Sequence, residues 1–117
     1  MIKSTAVFIG EMVQALKEEK IMVLFGPKAP KELREISVIH EFDTIDKDVL
    51  LKERHFIIDG KVYDIVSVGT EAVKNLVELG HVSVYFMDPP ENVLPGSIYV
   101  KPNVVPHVKI GSIIEFR

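Results

Sequence analysis

Four histidines and no cysteine set the chemistry open to this chain of 117 residues. Without thiols there is no disulfide, no thiolate metal site and no cysteine nucleophile. A histidine presented at a strand end is the remaining nucleophile of interest. An imidazole of ordinary pKa, about 6.5, is largely neutral at physiological pH and free to attack a phosphoryl group. His40 stands in such a place, because it ends the apolar run Ile36 to His40 and meets an acidic stretch. On spacing alone, a half-buried strand histidine bonded to backbone is the commoner outcome. His81 follows Gly80, and its commoner role would be to satisfy a loop carbonyl at the start of a strand. His55 opens a hairpin and His107 lies between Pro106 and Val108; both read as structural.

Other routes to chemistry are closed. There is no Walker loop, no GxGxxG after a strand, no HExxH and no GxSxG elbow. Glu41, Asp43, Asp46 and Asp48 crowd one segment, but they lack the spacing and terminal glutamate of a calcium loop, so they read as a solvated acidic loop. No metal site is expected. Asn75 sits mid-helix, where asparagine is a poor helix former, and either bonds to a neighbouring loop or faces solvent.

Composition narrows the class. The chain is 47% hydrophobic and 26% charged, with a formal net charge of −3 and a pI near 5.8. That is ordinary for a globular domain and lacks the basic surplus of a nucleic-acid binder. No apolar run approaches the roughly 20 residues of a membrane span. The N-terminus has too short an apolar core for a signal peptide. One domain over 1–117, in a reducing cytoplasm, is the expectation.

The elements that must hold these residues are legible from punctuation and period. Asp64 to Val68 is short and β-branched, and Gly69 breaks it. Thr70 is a good helix N-cap residue, Glu71 suits the positive end of the helix dipole, and Gly80 is a left-handed C-cap. Between them Ala72, Val73, Leu76, Val77 and Leu79 form an apolar stripe. His81 to Phe86 then alternates, with Val82, Val84 and Phe86 on one face. Upstream, the sequence predicts a strand at Ser4 to Ile9, a helix at Glu11 to Glu19 and a buried strand at Ile21 to Phe25. A short helix should start at Pro30, followed by the strand ending at His40. Glu41 to Glu53 reads as an irregular loop with room for one helical turn. Asp59-Gly60 joins His55 to Ile58 with Lys61 to Val68 in a type I′ hairpin. Ser97 to Val100 and Ser112 to Phe116 are the closing strands.

The segment VFIG-EMVQALKEEK-IMVLF repeats weakly as VSVG-TEAVKNLVELGH-VSVYF. Each reads strand, glycine, helix, strand, and each is followed by a proline-bearing loop and a short strand. The expected fold is mainly β with two or three short helices. Two similar halves, near 1–60 and 61–117, would close into one barrel-like sheet, which removes exposed edges. The offset sets His40 against Val100, so one half alone carries a histidine there.

The stretch VGTEAVKNLVELGHVSVYF, with the later LPGSIYV, resembles the glucitol/sorbitol-specific IIA component of the bacterial sugar phosphotransferase system. Val68-Gly69, Asn75-Leu76, Glu78-Leu79-Gly80-His81-Val82, Phe86, Pro95-Gly96, Ala29-Pro30, Ile39-His40 and Gly111-Ser112-Ile113 carry the likeness over nearly the whole chain. The resemblance implies a cytoplasmic phosphocarrier. It would take a phosphoryl group from the histidine-containing phosphocarrier protein and pass it to the IIB domain of a hexitol transporter, whose membrane part is IIC. The implied acceptor is His40; His81 and Ser37 are candidates for donors that support the transferring group, though no spacing brings them to it. No cofactor is implied, because the phosphohistidine bond already carries the energy. A homodimer stays open. In the family pattern a histidine and a glycine often stand two and three places after the acceptor; here they are Phe42 and Asp43. That departure leaves a second possibility, a regulatory or partner-binding relative without the relay.

Overall fold

The first strand shows how the sheet closes on itself. In β1 (Ile2–Ile9) Ile2, Ser4 and Ala6 alternate inward and are buried, while Lys3 and Thr5 lie toward the surface. One edge of β1 pairs antiparallel with β3 (Ser37–Thr44) and the other with β8 (Ile113–Phe116). The computed structural model describes residues 1–45 and 55–117. Its other elements are α1 (Val13–Glu18), β2 (Ile21–Phe25), α2 (Lys31–Arg34), β4 (His55–Ile58), β5 (Lys61–Val68), α3 (Ala72–Leu79), β6 (Val82–Tyr85) and β7 (Ser97–Lys101). The strands form a closed barrel in the order β1-β3-β2-β6-β7-β5-β4-β8.

Two pairings are parallel, β2 with β3 and β6 with β7; the others are antiparallel. The parallel pairs match in register, Val23 opposite Ser37 and Ser83 opposite Ser97. Gly10 and Gly69 stand alike before α1 and α3. Their N–H groups bond to Ser37 O and Ser97 O. A Cβ at either would lie 2.2 Å from a backbone oxygen, of Arg34 or of Leu94. Glycine is therefore required at both by close approach rather than by dihedral angle.

The core is aromatic at one end. Phe56 meets Phe116 at 5.4 Å and Phe86 at 6.2 Å, and Tyr63 meets Phe86 at 5.2 Å between ring centroids. Each such burial is worth about 2 kcal/mol. The apolar run of β2 is buried almost throughout because both its faces are covered. Phe25 packs outward against Ala29, Ile39 and Leu33 of the α2 region.

The hairpin turn is as expected: Asp59 and Gly60 have φ of 48° and 82°. Asp59 also accepts from the Ser112 hydroxyl and the Ile113 N–H, tying the turn to β8. Three local expectations are corrected. Thr70 does not cap α3; Glu71 is at the N-cap with no side-chain bond. The Glu71 N–H instead bonds to Pro95 O and the Ala72 N–H to Gly69 O, so backbone carbonyls do the capping. The first helix is shorter than Glu11 to Glu19, because Met12 N–H is drawn to Glu35 O. Glu41 to Thr44 is strand, not loop, because β1 offers it a full edge. The rest of that predicted loop, from Asp46 to Glu53, lies outside the described residues.

Candidate functional site

His40 lies on β3 opposite Ala6 and is completely buried. Its Nδ1 is 2.7 Å from Ser4 Oγ, and its Nε2 is 2.7 Å from the Gly80 carbonyl oxygen. Burial lowers its pKa, and the bond to Gly80 only partly opposes this, so the ring is neutral. A carbonyl can only accept, so Nε2 carries the proton and the Ser4 hydroxyl donates to Nδ1. Phe42, two residues on and on the same face of β3, meets the ring edge-on at 5.1 Å.

Strand alternation settles the nearby acids. Glu41 and Asp43 fall on the opposite face and are exposed, and Asp43 accepts a 2.9 Å bond from the Thr5 hydroxyl. Neither is aimed at the imidazole.

Outside Gly80 lies a cleft of about 280 Å³. The turn Gly26-Pro27-Lys28, the end of α3 from Val77 to Gly80, Phe25 and Phe42 line it. Most of that lining is apolar, with Lys28 and Glu78 as its charges. Two glycines make the wall thin. Gly26 donates to Leu79 O at 2.9 Å. A Cβ at Gly26 would stand 2.6 Å from that oxygen, and one at Gly80 would stand 2.7 Å from Gly26 N. Gly80, at φ 69°, is the left-handed C-cap of α3. The wall between Nε2 and the cleft is thus a single peptide unit.

His81 is placed differently. Its ring stacks on Phe25 at 4.3 Å and an interplanar angle of 15°, its N–H bonds to Asn75 O, and partial burial lowers its pKa. It flanks the cleft through Phe25 rather than joining His40. Ser37 is also diverted, since its hydroxyl donates to Leu33 O. The Asn75 amide lies beside Gly96 of the β6–β7 connection. His55 pairs with Asp64 at 3.3 Å on the surface, and His107 is exposed. Among the described residues no group of three or more His, Asp or Glu could hold a metal. Asp46 and Asp48 lie outside them.

Ser4 belongs to no sequence motif, yet it holds the second ring nitrogen. The one signal for it is the alternation Ile2, Ser4, Ala6, which puts a lone hydroxyl on an otherwise apolar inward face. Gly26 gives no signal beyond a Gly-Pro break.

No helix among the described residues is long and apolar enough to cross a membrane. Residues 1–115 match the family described as PTS system glucitol/sorbitol-specific IIA component. The glucitol/sorbitol-specific EIIA components of Shigella flexneri and Escherichia coli K12 are each 29% identical over 115 residues, 98% of this chain and 93% of theirs. A crystal structure of a PTS system IIA component from Enterococcus faecalis V583 superposes with a TM-score of 0.87 at 32% identity, covering 97% of this chain and 98% of that one. The barrel with its buried histidine therefore belongs to the glucitol/sorbitol-specific IIA components of the sugar phosphotransferase system.

Proposed function

We propose that this chain is a cytoplasmic phosphocarrier with His40 as acceptor. It takes a phosphoryl group from the histidine-containing phosphocarrier protein and delivers it to the IIB domain of a glucitol or sorbitol transporter. The observation that carries the reading is a neutral imidazole one peptide away from an apolar cleft. Neutrality supplies the lone pair. A mostly apolar cleft excludes water, which protects a phosphohistidine from hydrolysis and strengthens the few polar contacts inside. Lys28 at the rim offsets part of the roughly −1.5 to −2 charge of the incoming group. His81 supports the site indirectly, by holding Phe25 in the cleft wall. Residues 1–60 and 61–117 read as two copies of one unit, on the strength of the matched registers.

A second reading has its own observation. Both ring nitrogens of His40 are bonded and Phe42 covers the ring, as a partner-binding relative without the relay would allow. One experiment separates the two. The chain and His40→Ala are incubated with enzyme I, the phosphocarrier protein and labelled phosphoenolpyruvate. Acid-labile, base-stable label on wild type alone is expected. Label on neither protein sustains the second reading, and label on both moves the acceptor elsewhere.

A further inference from the structure

We infer that the Gly80–His81 peptide is the gate of this site and that Ser4 is a positioning residue serving both tautomers of His40. The inference rests on the proposed acceptor role and adds the geometry of the step. In the closed site Nε2 is a donor to Gly80 O, so it has no lone pair to offer. The free lone pair is on Nδ1, which points at the buried hydroxyl of Ser4, where no second protein can reach. The nitrogen facing the cleft is therefore the wrong tautomer for attack, and the nitrogen with the right electrons faces the wrong way.

Turning one peptide resolves both conditions. If the Gly80 carbonyl swings out, Nε2 opens to the cleft. Gly80 lacks a Cβ and already sits at positive φ, so its ψ has room to change. The same movement releases His81 N–H from Asn75 O. With the gate open, the ring takes a proton from water on Nδ1 to form a transient imidazolium and returns its Nε2 proton to water, with no net change. The Ser4 hydroxyl, a donor before, turns to accept from Nδ1–H. A hydroxyl does both, which an alanine, a carbonyl or an ammonium cannot. The Nε2 lone pair then forms the N–P bond. The donor's N–P bond breaks, and its electron pair stays on the donor's ring nitrogen.

Long-range 1H–15N spectra of the histidine-labelled full chain test this before and after phosphorylation by enzyme I and the phosphocarrier protein. The expected resting form has the His40 proton on Nε2. The expected phosphorylated form has phosphorus on Nε2 and the proton on Nδ1. In Ser4→Ala the Gly80 carbonyl still holds the resting proton on Nε2, but transfer should slow about tenfold, the equivalent of one net hydrogen bond. Ser4→Thr, which keeps the hydroxyl, should restore the rate. A resting proton on Nδ1 or phosphorus on Nδ1 would overturn the gate, and an unchanged transfer rate in Ser4→Ala would overturn the positioning role of Ser4. If Ser4→Ala fails to fold, the wild-type spectra still decide. A His40 that never takes phosphate removes the acceptor role and the gate together, whereas phosphorus on Nδ1 removes the gate alone.

Discussion

The two halves of the barrel share a frame and differ at one corner. Register sets His40 against Val100, since Val38 and Ile39 run beside β2 as Ile98 and Tyr99 run beside β6. The matching bulges, after Ala6 in β1 and after Ile65 in β5, set Ser4 against Tyr63. The left-handed residues after the two helices are Lys20 and Gly80, at φ 65° and 69°. At the histidine corner Gly26 N–H takes Leu79 O, leaving the Gly80 carbonyl for His40. At the other corner Phe86 N–H takes Lys20 O itself, and the Phe86 ring fills the core. One corner is thus sealed by an aromatic ring and the other is thinned by two glycines around an imidazole. The frame occurs twice, and four differences set the candidate corner apart: His40 for Val100, Ser4 for Tyr63, Gly80 for Lys20 and Gly26 for Phe86.

His40→Val gives the histidine corner the side chain of its counterpart, Val100, and should have the largest effect. Phosphoryl acceptance should fall below detection, a loss of at least about a thousandfold. Stability should fall by only about 1 to 3 kcal/mol, because a buried carbonyl and hydroxyl lose their partner. Labelling and a denaturant titration check the two parts. Transfer surviving in His40→Val would break the comparison.

Gly80→Ala tests the thin wall and should come next. Its Cβ meets backbone at Gly26, which cannot step aside as a side chain could, and φ is left-handed. Strain and clash together should cost about 3 kcal/mol. Gly60→Ala is the control: φ is 82° but nothing lies within 4 Å, so about 1 kcal/mol is expected. Equal losses in the two variants would mean that the close approach of Gly80 to Gly26 carries no energy.

Much of this frame is legible in the sequence, because it rests on local signals. Gly69, Gly80 and Asp59-Gly60 punctuate elements wherever they occur, and the alternation of Val82, Val84 and Phe86 fixes a face. The site is less legible because its parts are distant. Ser4 lies 36 residues from His40 and Gly80 lies 40 residues away. A hydroxyl in a strand and a glycine after a helix have ordinary local uses, so neither announces a partner. Thr70 misleads for the converse reason. Its type suits a cap, but the Pro95 carbonyl arrives from a distant loop and the Gly69 carbonyl from the adjoining turn, and they take the N–H groups first.

The titration of His40 is a smaller effect with a definite sign. Burial lowers its pKa in the folded chain, so below about 6.5 the unfolded chain binds the extra proton more readily. The stability His40 contributes is present above that pH and is lost as pH falls toward the folded pKa. Val100 has no such group. Wild type should therefore lose stability relative to His40→Val between pH 7.5 and 5.5. His81, whose pKa is also lowered by burial, stays in both proteins and cancels. A stability difference that does not move with pH would mean that His40 takes its proton as easily folded as unfolded.

Lys20→Gly should have the smallest effect and sharpens the comparison from the sealed corner. Lys20 holds φ at 65°, where a side chain costs about 1 kcal/mol and glycine does not. Against that stands the exposed bond from Lys20 Nζ to Asn103 O at 2.7 Å, worth about 0.5 kcal/mol at a solvated surface. The strain is the larger of the two, so the variant should gain about 0.5 kcal/mol. Transfer should not change, since Lys20 O serves Phe86 N–H and meets no imidazole. A loss of stability would mean that the tie to Asn103 outweighs the strain. A loss of transfer would mean that the two corners communicate across the shared β2–β6 pairing, where Val23 lies opposite Ser83.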